Sequence, residues 1–286
     1  MRVVSLHRYP VKSVAPVDLD ESIVQPWGLA GDRRYMLVTA DGTQVTAREH
    51  PALLTVHAVG EPDTGPLDPF VLTVEGAGPL LVAPPAGPAD TWVSVWRTRL
   101  RAADVGDAAA RWFSSLLGLS VRLVFQDDPR LRPVGEGDFV PADSHVSLAD
   151  GSPLLLTTEA SLARLGEWIA ERGREDPDRA EDPVPMRRFR PNLVVDGDEP
   201  FAEDTWRRVQ VGGATFAGTG PCPRCVMTLR DPDTLERGRE PIRTLARHRS
   251  WDGSTWFGIN LVPVIAPGSD PSTWPVVRVG DEVTAR

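Results

Sequence analysis

Lysine is almost missing from this chain. Of its 31 Lys and Arg residues, only Lys12 is lysine. An arginine bias that spares one position predicts that position 12 needs a compact ammonium, which can lose its proton when buried as a guanidinium cannot. Cysteine is nearly as scarce, with Cys222 and Cys225 alone. Two cysteines in 286 residues do not make a disulfide scaffold, nor a four-cysteine zinc or iron–sulfur site. The five histidines are scattered, with no close pair beyond His50 and His57. Long apolar runs are absent too: Leu154–Leu156 and Leu261–Ala266 fall far short of the roughly 20 residues of a membrane span. The first eight residues turn polar too early for a secretory signal. Positive charge is in deficit, with a net charge of −9 and a pI near 5.1, which speaks against a nucleic-acid footprint. A cytoplasmic protein with neither membrane nor nucleic-acid partners is expected.

What is present is β-rich. Val3–His7, Glu21–Val24, Tyr35–Thr39, Gln44–Ala47, Leu53–Val59 and Phe70–Val74 read as strands, and Asp41-Gly42 as a hairpin turn. Leu80–Val82 is a short strand in a Gly/Pro/Ala-rich stretch, and Val121–Phe125 another. Helices are expected over Asp107–Leu117, capped by Asp107 and stopped by Gly118, and over Glu159–Arg172, capped by Thr158 and stopped by Gly173. A third helix starts at Pro241. Further strands are read at Asn192–Val195, Arg207–Val211, Ala214–Gly218, Gly258–Val264 and Val276–Val279, with a surface loop over Arg174–Arg187. The pattern predicts a β-rich α+β fold on barrel-like sheets with a few helices, and a division into residues 1–120 and 121–286.

Several segments carry chemistry. Tyr9-Pro10-Val11-Lys12-Ser13 sets an ammonium and a hydroxyl side by side in a turn, an anion-binding corner. Gly28–Arg34 and Val45–Arg48 each hold arginines, and turn or strand residues with a surface Arg would explain either one alone. Asp150-Gly151-Ser152-Pro153 leads into a buried strand and a capped helix start that can offer N–H groups and hydroxyls to an anion; ordinary capping by Thr158 needs no ligand. Arg187, Arg188 and Arg190 precede Pro191-Asn192 and an apolar strand, which is unlike a solvated charge run, and arginine suits bidentate phosphate recognition. In Cys222-Pro223-Arg224-Cys225 three readings stand open. They are a dithiol redox pair, half of a zinc site, and a single metal-ligating thiolate favoured by Arg224. Val226–Leu229, which follows, reads as a strand, whereas a redox Cys-x-x-Cys normally opens a helix.

Together these segments resemble the MOSC family, in the branch with an N-terminal β-barrel-type domain that includes the mitochondrial amidoxime-reducing components and their bacterial counterparts. The resemblance runs over nearly the whole chain. It is carried by Tyr9–Ser13, Asp32-Arg33, Val45–Arg48, Ser152-Pro153, Glu159–Leu162, Arg188–Asn192, Ala202–Asp204 with Trp206, and Cys222–Cys225 leading to Asp231–Thr234. It implies a MOSC β-barrel core and a pyranopterin dithiolene cofactor carrying molybdenum. By motif position it implies Cys225 as the metal ligand and catalytic residue, and Lys12, Ser13, Arg33, Ser152, Arg190 and Asn192 as cofactor contacts, with Arg48, Thr158 and Arg188 as neighbours. The implied reaction is removal of oxygen from N-hydroxylated compounds such as amidoximes and hydroxylamines. The chain lacks the cysteines of the ferredoxin-like domain that some bacterial relatives carry. A separate electron donor is therefore implied, by analogy a flavoprotein reductase with a small haem or iron–sulfur carrier. The rival readings are a non-redox cofactor carrier or sulfur-transfer module, and pyridoxal phosphate binding, a family association for which Lys12 is the only Schiff-base candidate.

Overall fold

The computed structural model describes residues 1–59, 67–177 and 181–286. Four sheets and three α-helices are present among them, the β-rich α+β fold expected. The largest sheet has nine strands. Eight run in the order Val17–Leu19, Val3–Arg8, Leu193–Val195, Leu154–Thr158, Ser254–Pro263, Ala214–Pro223, Arg208–Val211 and Val283–Ala285, and Ser250–Trp251 pairs with Ser254–Pro263. The opening strand thus lies inside a sheet built mainly from the second half of the chain, with Leu6 opposite Leu193. Leu154–Thr158 and Leu193–Val195 are parallel, and the helix Glu159–Glu175 lies on the crossover between them. One face of this sheet buries Leu6, Leu156, Val195, Phe216, Ile259 and Leu261.

A second sheet runs Thr91–Val95, Thr98–Asp104, Arg122–Phe125, Tyr35–Val38, Gln44–Val45. Its apolar residues Leu37, Val45 and Leu123 meet Phe113 of the helix Asp107–Leu117. The Asp41-Gly42 turn joins Tyr35–Val38 to Gln44–Val45 as read. Gly42 has φ of 82°, and a Cβ there would stand 2.2 Å from the Trp92 carbonyl oxygen, so only glycine lets this turn seat against the neighbouring hairpin. The remaining sheets are Val276–Arg278, Glu21–Gln25, Gly28–Leu29 and His57–Val59, Phe70–Val74, Ala77–Val82.

Several readings need correction. Residues 51–55 form a 3-10 turn started by Pro51, which places Leu53 and Leu54 in the core, and the strand begins only at His57. Gly106, not Asp107, caps the first helix, while Gly118 ends it in the left-handed conformation expected. Thr158 caps the second helix, but Gly173 does not stop it. The helix continues to Glu175, because a glycine near a helix end costs only about 1 kcal/mol. The expected loop over Arg174–Arg187 therefore starts later, and its residues 178–180 lie outside the described residues. Val226–Leu229 is a 3-10 turn in place of a strand, tied by the Thr228 N–H and hydroxyl, which both donate to the Cys225 carbonyl. Among the strands that went unread are Val17–Leu19, Gly28–Leu29, Ser250–Trp251, Val283–Ala285 and the two of the hairpin Thr91–Asp104. No helix among the described residues is long and apolar enough to cross a membrane.

Candidate active site

The chemistry-bearing segments converge on one cavity of about 430 Å3. The turn after the opening strand supplies Lys12 and Ser13; the Lys12 N–H donates to the Tyr35 carbonyl, fixing the turn on the second sheet. The Arg33 N–H donates to the Tyr9 carbonyl, and the Asp32 carboxylate accepts from the Tyr9 N–H at 2.8 Å. Ser13, Arg33 and Arg190 all hold left-handed backbone conformations, with φ of 75°, 47° and 57°. Non-glycine residues seldom adopt this geometry, and it clusters at functional sites.

Arg33 and Arg190 both stack on the ring of Tyr9, at 4.3 and 4.2 Å from its centroid. Arg33 is also bonded to Asp32 at 2.5 Å and to the Asn192 side-chain oxygen at 3.1 Å. Burial works against its charge, but Asp32 holds its pKa above the ordinary guanidinium value. Arg190 has no such partner: burial lowers it to about 10, against the pull of Tyr9, and its guanidinium makes no hydrogen bond among the described residues. Asn192 ties three elements together. Its side-chain N–H donates to the His7 carbonyl, and its oxygen accepts from the Leu155 N–H as well as from Arg33.

A second carboxylate, Asp150, organises the opposite side. It accepts from Lys12 Nζ at 2.5 Å, from Arg48 Nη2 at 2.8 Å and from Trp96 Nε1 at 3.2 Å. Burial alone would raise its pKa, but the two cations outweigh that and hold it well below the carboxylate range. Burial pushes the Lys12 ammonium down to about 8, although Asp150 opposes the shift. The loop carrying Asp150 is pinned by Arg132, which donates to the carbonyls of Ser147, Ala149 and Asp150.

Both cysteines border the cavity as free thiols. Cys225 Sγ lies 3.5 Å from Arg48 Nη2. Cys222 Sγ accepts from Arg224 Nη1 at 3.1 Å, and burial raises its pKa, against the pull of Arg224. No cluster of three or more His, Cys, Asp or Glu side chains able to hold a metal exists among the described residues. The zinc half-site therefore finds no second half there.

The chain matches the MOSC N-terminal beta barrel domain over residues 1–120 and the MOSC domain over residues 143–284. It is 32% identical over 289 residues to mitochondrial amidoxime reducing component 2 of Rattus norvegicus, covering 96% of this chain and 80% of that one. The chain belongs to the MOSC family. It is also 31% identical to mitochondrial amidoxime-reducing component 1 of Homo sapiens, covering 88% of this chain and 73% of that one. To the molybdenum cofactor sulfurase of Danio rerio it is 32% identical across 98% of this chain, but it spans only 34% of the length of that protein.

In this MOSC chain Lys12, Ser13, Arg33, Arg48, Ser152, Arg188, Arg190, Asn192 and Cys225 all border the same cavity. Thr158 does not. It is buried and engaged in capping, the plainer of the two explanations for it. Arg188 is also engaged, with Asp231 at 3.2 Å and the Glu240 carbonyl at 3.3 Å, and Ser152 donates to the Leu261 carbonyl. Sequence reasoning passed over Asp150 as counter-ion, although its segment was singled out, and it missed Trp96; Arg224 was read as a neighbour favouring the thiolate, and in the fold it bonds Cys222. The only available signal for Trp96 was a tryptophan between two unread strands.

The donor set fits an anionic group that also carries a soft metal. The Ser13 hydroxyl and the Arg190 guanidinium make no hydrogen bond among the described residues. The Nε atoms of Arg188 and Arg224 are buried without an acceptor. The last two, being buried, are costly unless a ligand satisfies them. Beside them stands a thiol, the donor that soft metals prefer.

Proposed function

We propose that the cavity holds a molybdenum-bearing pyranopterin cofactor and that the protein reduces N-hydroxylated compounds with electrons from a separate donor. The observation that carries this reading is the meeting, in one cavity, of the Cys225 thiol with the Arg190 guanidinium, which makes no hydrogen bond among the described residues, and with the acceptor-less Nε atoms of Arg188 and Arg224. The cofactor, when bound, supplies a two-electron redox centre. Overall, R–C(=NOH)NH2 + 2 e− + 2 H+ gives R–C(=NH)NH2 + H2O.

In this reading Cys225 is the metal ligand. Arg190, Ser13, Arg33 and Lys12 take the cofactor's anionic end, with Asn192 fixing the wall behind them. Arg48 stabilises the Cys225 thiolate from one side while Asp150 holds that guanidinium in place. Asp150, ionised and with its side chain 52% exposed, also prevents Lys12 and Arg48 from repelling one another across the cavity. Residues 1–120 and 121–286 are proposed as the two functional units, each supplying one wall.

A second reading, a cofactor carrier or sulfur-transfer module, draws on Cys222, a second thiol at the same cavity, and on the sulfurase relative. Pyridoxal phosphate has less support, because a Schiff base needs the neutral Lys12 amine, and the Asp150 carboxylate at 2.5 Å favours the ammonium. The deciding experiment is purification from a host that makes the cofactor, elemental analysis, and benzamidoxime reduction by viologen-mediated electrons. About one molybdenum per chain with turnover supports the reductase. Molybdenum without turnover favours the carrier, and protein that never acquires molybdenum overturns both.

A further inference from the structure

The hairpin of Thr91–Val95 and Thr98–Asp104 has two unlike faces. One is anchored: Val93, Val95, Leu100 and Ala102 are buried with Met36, Val38 and Val124. The other offers Trp92, 46% exposed, with Arg99 and Arg101 exposed beside it. Trp92 pairs with Arg101 in register, and Arg99 is two residues away on the same face. Both guanidinia stack on the Trp92 ring, each 4.6 Å from its centroid. Arg97, at the turn, is exposed as well. None of these three arginines forms an ion pair among the described residues, whereas the exposed Arg130, Arg187 and Arg278 each meet a carboxylate. In a chain of net charge −9 this is a rigid cationic strip set with aromatic side chains. Arginine and tryptophan are the residues that dominate protein interfaces.

The strip ends at the candidate active site. Trp96, at the hairpin turn and half exposed, borders the cavity and lies over Arg48, 4.5 Å from its guanidinium carbon, and Arg48 reaches Cys225 Sγ at 3.5 Å. A protein on this strip that also touches Trp96 at the turn is separated from Cys225 by one indole ring and one guanidinium. We propose that this hairpin is the docking surface for an acidic one-electron carrier protein. The proposal rests on the reductase reading, which needs two electrons per substrate. Two reduced carriers each lose one electron, the amidoxime gains both together with two protons from solvent, and amidine and water leave. Opposite charge steers such encounters and makes them sensitive to salt.

The test uses molybdenum-loaded protein, reduced plant-type ferredoxin and reduced flavodoxin as acidic carriers, and benzamidoxime. The rate with the carriers should fall with rising salt, and should fall about tenfold in the double variant R99E/R101E. The viologen-driven rate and the melting temperature of that variant should stay at wild-type values. Carrier-driven rates that are equal in variant and wild type overturn the proposal. So does a wild type that turns over with viologen but with neither carrier at any salt concentration. If viologen itself drives no turnover, the reductase reading falls. Calorimetric titration with oxidised ferredoxin then decides the docking surface separately: binding by wild type that R99E/R101E abolishes supports it, and equal or absent binding overturns it.

Discussion

Two polar clusters in this molecule are built from similar residue types and behave in opposite ways. Around Glu203 the cluster is closed. The buried carboxylate accepts from the Ser161 hydroxyl at 2.7 and 2.9 Å and from Thr158, while the Ser161 N–H donates to Thr158 Oγ1 and the Phe201 N–H to Ser161 Oγ. Burial raises the Glu203 pKa, against the Ser161 hydrogen bonds, and each of these three side chains is satisfied from within. Around Cys225 the cluster is open: the side chains of Ser13 and Arg190 make no hydrogen bond among the described residues, beside two salt-bridged carboxylates. Hydroxyls and acids near a helix start are therefore no sign of a ligand. The sign is a donor that borders a cavity and that the protein itself does not satisfy.

The largest effect that would test this contrast is expected at Cys225. Cys225→Ser should lose nearly all bound molybdenum and activity, since a hydroxyl is a harder and less acidic ligand than a thiol. Cys222→Ser should keep the larger part of its metal, and equal loss in both variants, measured by elemental analysis, would revive the dithiol reading. Next comes the open donor. Arg190→Ala should lower cofactor occupancy about tenfold or more through loss of a charge-assisted contact. Arg237→Ala, an exposed control, should leave occupancy unchanged; parallel losses would point to general destabilisation.

A moderate effect is expected at Lys12, whose singularity makes it spectroscopically isolated. In protein carrying 13C-lysine its one ε-carbon signal should titrate near pH 8 instead of about 10.4, and Asp150→Asn should move the midpoint lower still. The sign for stability follows. The folded state holds this proton less tightly than the unfolded chain does, so the contribution of Lys12 to stability grows as pH rises from about 8 to about 10.4. Lys12→Met should flatten that slope in denaturant titrations. The smallest effect belongs to the closed cluster. Thr158→Val should cost about 1 kcal/mol in unfolding free energy through the lost cap, with cofactor occupancy untouched. A fall in occupancy would return Thr158 to the site.

Local signals were legible where one residue decides the outcome. Gly118 in the left-handed conformation, Thr158 at its cap and the Asp41-Gly42 turn follow from side-chain chemistry that acts within four residues. The residues that line the cavity stood out in the sequence because their types are unusual there: the lone lysine, arginines feeding an apolar strand, and a cysteine beside arginine. What escaped reading depends on distant partners. Asp150 becomes a counter-ion only because Lys12, 138 positions away, is folded onto it. Val226–Leu229 has β-type composition but is turned by bonds back to Cys225. The hairpin Thr91–Asp104 went unread because Trp96-Arg97 at its turn are not turn-forming residue types, although Trp96 there takes a left-handed conformation and meets Arg48 and Asp150.

The opening strand, Val3–Arg8, sits between Val17–Leu19 and Leu193–Val195 in a sheet made mainly by the other half of the chain. A cut within residues 135–138, in the loop ahead of the second half, would sever the backbone but not this clasp. The piece lacking the opening strand would keep an unpaired edge at Leu193–Val195, ready to accept it back. Because Lys12 and Ser13 lie on one side of that cut and Cys225 on the other, neither fragment holds the whole lining of the cavity. Reassembly of the two pieces would bring the two sets of lining residues back together, so fragment complementation tests the clasp directly.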